Sequence, residues 1–217
     1  EAEIDIIRQM GVEIRCGVEV GKDVTLDELR AQGYKAFYLA IGCQGGRKAG
    51  VPGENAPNVV TAVDFLHRVN EGEKINLSGR IVVVGGGNVA IDVVRSGLRC
   101  GASSADMFCL EARDQMPATP GEIAEAEEEG AKVHCGWGPK EILTENGKAT
   151  AVVFKRCVSV FDAEGRFNPT YDEDDTVTVE CEHVFLSIGQ SIQWGNLLEG
   201  SKVELGRGGR AVADSLT

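Results

Sequence analysis

Residues 80–102, RIVVVGGGNVAIDVVRSGLRCGA, pass from an apolar block through three consecutive glycines into an amphipathic stretch. A continuous Val/Ile run reads as a strand buried on both faces, and apolar residues recurring every three or four positions read as a helix. A turn without side chains between the two implies that the main chain there approaches something a Cβ would displace. Gly85, Gly87 and Ala90 have the spacing G-x-G-x-x-G/A, and the strand before and helix after supply the context that spacing requires. On this reading Gly85 permits the tight turn, Gly87 admits a dinucleotide pyrophosphate against bare backbone, and Ala90 lets helix and strand lie close. Gly86, Asn88 and Val89 complete the loop, whose free N–H groups and helix dipole favour an anion. The competing reading is a merely tight strand-to-helix turn, and Asn88 is either a helix cap or a ligand contact.

In such folds the second strand ends on a residue that recognises the adenosine ribose, about 20 residues beyond the glycines. Here MFCLEARDQ puts Glu111 at that place. A carboxylate accepts from ribose hydroxyls and repels an added phosphate, so NAD(H) is expected over NADP(H). Arg113, two residues on, is the group able to reverse that preference.

The remaining chain alternates. Ile4, Ile7 and Met10 make one stripe of a helix over 1–10 that Gly11 stops, VEIRCGVEV (12–20) alternates as a strand, and Thr25 with Glu28 forms a capping box for the next helix. AFYLAIG (36–42) reads as a buried strand, followed by a long loop and a helix starting at Thr61. From Arg80 the order is strand, helix, strand ADMFCLEA, helix PGEIAEAEEEG and strand AKVHCGW. KEILTENGKATAVVFKRCVSV and TVTVECEHVFLSIG are then strand-rich, joined by the polar loop DAEGRFNPTYDEDD. This order predicts an α/β fold: a Rossmann-like parallel sheet with helices on both faces and an antiparallel strand-rich excursion.

Composition narrows the partners. With 22 basic against 34 acidic residues the net charge is −12, which repels phosphate backbones and anionic membranes, so neither nucleic acid nor membrane is expected. No apolar run nears the roughly 20 residues of a membrane span and the start lacks a signal-peptide pattern, which predicts a cytoplasmic protein. The sequence opens without Met and stops in GGRAVADSLT, as a piece of a longer chain would. Seven cysteines without CxxC spacing read as reduced, mostly buried thiols, and three scattered histidines read as surface or hydrogen-bonded groups. The run Asp172–Asp175 reads as a solvated loop, and the EAEEEG helix end as a solubilising one; no metal site is expected.

The stretches GVEIRCGVEVGKDVTLDELRAQGYKAFYLAIGCQGGRKAGVPGE, VVVGGGNVAIDVVRSGLRCGA, MPA, EEEGAKV and VFLSIGQ, in this order, resemble the small (beta) subunit of glutamate synthase and its relatives. The resemblance implies a flavoprotein in which an NAD(P)H domain is inserted between two stretches of an FAD domain. It maps 51–189 to the NAD(P)H-binding Rossmann-like domain, flanked by partial pieces of an FAD domain at 1–50 and 190–217. It also implies that AFYLAIG and VFLSIG are crossover strands whose glycines, Gly42 and Gly189, pass near the cofactors. Many members carry two arginines at the end of the second strand, where this sequence has Leu110 and Glu111. The amino-terminal FAD glycine fingerprint, the cysteines for iron–sulfur clusters and the carboxy-terminal Gly-Asp segment are not in these residues, so FAD is expected in the complete protein rather than in this stretch alone. The implied reaction is hydride transfer from NAD(P)H to FAD and on to iron–sulfur centres or a partner subunit, chemistry the cofactors carry, so no catalytic acid, base or nucleophile is expected. The alternative is a dinucleotide-binding or sensing module without redox activity.

Overall fold

The computed structural model describes residues 2–214. Residues 1 and 215–217, the outer ends of the expected pieces 1–50 and 190–217, lie outside the described residues. The chain divides into two compact units: one is Gln44–Ser191, the other is formed by the described residues before Gln44 and after Ser191.

The second of these contains α1 (Ala2–Gln9) and α2 (Leu26–Ala31). The expected capping box is present: Thr25 Oγ1 accepts from the Glu28 N–H at 3.1 Å, and the Glu28 carboxylate accepts from the Thr25 N–H at 2.8 Å. The two expected strands are absent among the described residues. VEIRCGVEV makes a single bridge, Val20 to Val24, and AFYLAIG makes no ladder, with Tyr38 93% exposed. A strand exists only through its neighbours, and neither segment has within this unit a partner to satisfy its backbone or an apolar face to cover its side chains.

In the unit Gln44–Ser191, β1 (Gly45–Gly46) leads to β2 (Val59–Thr61) and α3 (Ala62–Asn70), which Thr61 caps by accepting from the Asp64 N–H. Then come β3 (Arg80–Val84), α4 (Asn88–Arg99), β4 (Ser104–Cys109), α5 (Pro120–Glu128) and β5 (Lys132–Cys135). An antiparallel meander follows, β6 (Trp137–Glu145), β7 (Lys148–Phe161) and β8 (Phe167–Glu180), before β9 (His183–Leu186) and β10 (Gln190–Ser191). Strands β2, β9, β3, β4 and β5 form one wholly parallel sheet in that order.

The α/β class is the one the residue pattern predicts, and the sheet's two faces have different covers. Ile81, Val83 and Phe185 pack with Phe65 of α3, Ile91 of α4 and Ile123 of α5. Val82, Val84 and Leu186, one residue out of phase, pack with Ile142, Val152 and Phe154 of the meander. Helices therefore cover one face, and the strand-rich excursion takes the place expected for helices on the other. The buried alternate residues of the IVVV run have an apolar layer on each side, which explains its lack of polar alternation.

Asn146 and Gly147, at φ 52° and 78°, turn β6 into β7, the backbone an Asn-Gly hairpin demands. The polar stretch expected as a loop is largely β8. Its acidic run bulges from the ladder, where Glu173 meets Lys155 at 2.6 Å and Asp175 meets Arg156 at 3.0 Å. The acidic end of α5 is similarly matched: Arg95 reaches Glu125 and Glu129 at 2.8 and 2.7 Å, and Arg113 reaches Glu127 at 2.6 Å.

Candidate functional site

The carboxyl ends of β3, β4 and β9 open onto a cleft of about 680 Å³. It lies where the strand order reverses, β9 continuing to one side of β3 and β4 to the other, the position at which ligands bind in open parallel sheets.

Each glycine of the turn has its own reason. A Cβ on Gly85, at φ +140°, would sit 2.2 Å from the Ser187 carbonyl oxygen, because Val84 and Leu186 are register partners and the two chains leave the sheet side by side. A Cβ on Gly86 would lie 2.8 Å from Cys109 Cβ and 3.0 Å from Glu111 Oε2. Gly87 differs: its φ of −93° and ψ of 174° suit any residue, and nothing lies within 4 Å of where its Cβ would be. Neither backbone strain nor packing calls for glycine there. The position faces open cleft at the start of α4, which no side chain caps and whose first N–H groups have no intrahelical acceptor.

The loop before α5 braces the turn. Ala118 N–H donates to the Gly86 carbonyl at 3.0 Å, and Thr119 N–H donates to Asn88 Oδ1 at 2.9 Å. Asn88 is thus the first helical residue, with Gly87 at the cap position, and its side chain ties two loops together.

The cleft gathers Gly85, Gly86, Gly87, Asn88, Val89, Glu111 and Gly189. Ala90 is fully buried beneath it, against the sheet. Half-buried Glu111 holds its carboxylate against the glycine turn while its carbonyl accepts from the Gly136 N–H at 3.0 Å. Arg113 does not line the cleft: both of its terminal nitrogens are bound to Glu127, at 2.8 and 2.6 Å. Gly42, at φ +64°, belongs to the other unit.

Several lining residues escape the reading of the sequence because they come from distant elements. Trp137, under the Arg156 guanidinium at 3.7 Å, and Tyr171, under the Lys155 ammonium at 4.2 Å, form a wall from the meander. Ser187 follows β9, and its Oγ is buried with no hydrogen-bond partner among the described residues. Arg47 and Lys48 follow β1, and Lys48 Nζ donates to Asn55 Oδ1. Of these, only the GRK sequence offered a local signal, a basic pair among glycines.

Burial pushes the Cys109 thiol far above its ordinary range, with Cys135 beside it adding to the shift, so it is no nucleophile near neutral pH. Among the described residues no three His, Cys, Asp or Glu side chains are grouped to hold a metal ion, and no helix is long and apolar enough to cross a membrane. The arrangement offers bare backbone, helix N–H groups and a carboxylate along one open edge, a fit for the phosphates and a ribose of a dinucleotide.

Known proteins agree with this geometry at the level of family and fold. The chain is 36% identical over 198 residues to the NADPH-Fe(3+) oxidoreductase subunit beta of Geobacter sulfurreducens, covering 88% of this chain and 29% of that protein. It is 33% identical over 202 residues to the glutamate synthase [NADPH] small chain of Azospirillum brasilense, covering 87% and 42%. The chain spans less than half the length of the curated relatives it matches. Among solved structures, Mycobacterium tuberculosis FprA in complex with NADPH has the same fold with a TM-score of 0.69 at 22% identity, over 80% of this chain and 54% of that one. The sequence profile of the pyridine nucleotide-disulphide oxidoreductases matches residues 3–217, and the chain belongs to that family.

Proposed function

We propose that the cleft binds NAD(P)H, and that the chain is the pyridine-nucleotide part of a flavin-dependent oxidoreductase. In the complete protein, electrons would pass from NAD(P)H to FAD and on to iron–sulfur centres or a partner subunit. The observation that carries the reading is Gly87: a residue free to hold a side chain has none, where a phosphate would rest on the α4 N-terminus. In this reading 51–189 is the nucleotide domain and 1–50 with 190–217 are partial FAD-domain pieces, supported by the division of contacts at Gln44 and Ser191.

Bound here, the reduced nicotinamide supplies a hydride to a flavin. The chain's own work is binding and orientation. The N–H groups of the glycine turn and first turn of α4 hold the pyrophosphate, Glu111 accepts from ribose hydroxyls, and the Trp137–Tyr171 wall keeps water from one side.

The preference for NAD(H) expected from Glu111 finds no support among the relatives, several of which are named as NADPH proteins. The proposed cofactor is therefore NAD(P)H, with Glu111 opposing a 2′-phosphate and Arg113 restrained by Glu127.

Titrating the chain with NADPH and NADH tests the reading, by calorimetry and by quenching of tryptophan emission, which the reduced nicotinamide absorbs and to which Trp137 in the cleft and Trp194 outside it both contribute. Saturable binding with quenching is expected; no saturable binding of either nucleotide refutes it. For the complete protein, a yellow preparation bleached by NAD(P)H is the expected result, and a colourless one that still binds nucleotide refutes the redox assignment.

A further inference from the structure

Arg47 is the odd arginine of its unit. Every other arginine between Gln44 and Ser191 is in an ion pair. Arg47, in a chain of net charge −12, is in none among the described residues, and it lines the cleft.

Its backbone is held at both ends of a small antiparallel pair. Gly45 opposes Ser191, Gly46 opposes Gln190, and the Arg47 N–H donates to the Gly189 carbonyl at 3.2 Å. A Cβ on Gly46 would lie 2.3 Å from Thr61 Cβ, so this segment is pressed onto the cap of α3. The side chain then lies over Gly189, where a Cβ would stand 3.4 Å from Arg47 Cδ. Gly189, at φ +109°, thus serves as the seat of the arginine stem.

The topology says which part of a ligand this guanidinium meets. Strand order β9-β3-β4 puts the glycine turn in the middle, Glu111 beyond β4 on one side, and Ser187 with Gly189 beyond β9 on the other. A dinucleotide whose adenosine ribose is at Glu111 runs across the glycine turn toward β9. The buried Ser187 Oγ at that end, with no hydrogen-bond partner among the described residues, is a second polar group there.

We propose that Arg47 binds the phosphate on the nicotinamide side of the bound dinucleotide, an inference that rests on the nucleotide reading above. A guanidinium donates two parallel hydrogen bonds to a phosphate, and a charge-assisted contact of this kind amounts to about tenfold to a hundredfold in affinity.

The test compares two fragments by calorimetry on the chain: AMP, which carries the adenosine-side phosphate alone, and ADP-ribose, which carries both. Arg47→Ala is expected to weaken ADP-ribose about tenfold or more and to leave AMP within about twofold, with Arg47→Lys intermediate. The melting temperature should be unchanged, since no ion pair is lost. An equal loss for both fragments, or no loss for ADP-ribose, overturns the role of Arg47 while leaving the nucleotide site standing. Failure of both fragments, NADH and NADPH to bind the unmodified chain would sink the nucleotide reading and this inference with it.

Discussion

Replacing Gly87 with Asp separates what the fold needs from what a ligand needs. Gly87 is the cap residue of α4, with φ −93° and ψ 174°, and its Cβ direction is empty to 4 Å. An aspartate fits that backbone, and as an N-cap it gains a few tenths of a kcal/mol over glycine. Its charge beside the helix N-terminus adds about 0.3–1 kcal/mol. The chain should therefore melt at the same temperature or up to a few degrees higher. The same carboxylate would stand where the phosphates are to rest. Two unit charges at about 4 Å repel by roughly 1 kcal/mol in water and 4 kcal/mol at an effective dielectric of 20. The nucleotide should thus bind about tenfold to a thousandfold more weakly. Thermal melting by circular dichroism and calorimetric titration with NADPH measure the two effects on one sample. Gly85→Ala is the contrast: at φ +140° and 2.2 Å from the Ser187 oxygen, its Cβ should destabilise the fold by roughly 2–4 kcal/mol. Undiminished NADPH affinity in a folded Gly87→Asp chain would refute the argument, because the open space at Gly87 would then have no occupant to exclude.

Four further outcomes are expected. Glu111→Ala should shift the NADPH to NADH affinity ratio toward NADPH by about fivefold to tenfold, the effect of one solvent-screened charge. Glu127→Gln should shift it the same way by releasing Arg113, and an unchanged ratio in both variants contradicts the assigned geometry. Asp106, 1% exposed, is opposed by burial but accepts from Arg80 Nε at 2.8 Å and lies 2.7 Å from His134 Nε2, which together hold its carboxyl below the usual 3.8. Its contribution is complete above about pH 4 and is lost as pH falls through the lowered folded value. Burial also lowers His183 from 6.5, so an earlier, separate decline begins below that pH. Asp106→Ala should destabilise by about 3 kcal/mol and make the acid-side decline in a pH series of melts shallower, since one of the carboxylates held below its ordinary range is gone. A thiol reagent should modify exposed Cys16 and Cys43 quickly, while buried Cys109, Cys157 and Cys181, the last with its pKa pushed up to about 12, react only on unfolding. Rapid loss of all seven thiols in the folded chain would contradict this packing.

Local chemistry was legible where neighbours in sequence decide it. The IVVV strand, the glycine turn and the Thr25 and Thr61 caps each follow from a few adjacent residues, because backbone propensity and hydrogen bonding within one turn specify them. Segments 12–20 and 36–42 have strand-like patterns without strands, since a ladder depends on residues far away in the chain. The reverse holds for β8: its polar residues hid a strand that becomes one by pairing with β7 and matching its acids to Lys155 and Arg156.

The candidate site divides the same way. The order of residues alone determined that a parallel sheet would end in a bare turn before a helix, because the glycine spacing and the two flanking periodicities are encoded within about twenty consecutive positions. Only the tertiary structure decided that Gly85 is required by a neighbouring strand whereas Gly87 is not. Only it drew Arg113 away to Glu127, left the Arg47 side chain over Gly189 with no ion-pair partner among the described residues, and set Trp137 and Tyr171 as the facing wall. Those outcomes depend on which charges and surfaces meet across long separations in the chain, and that is a property of packing rather than of any local pattern.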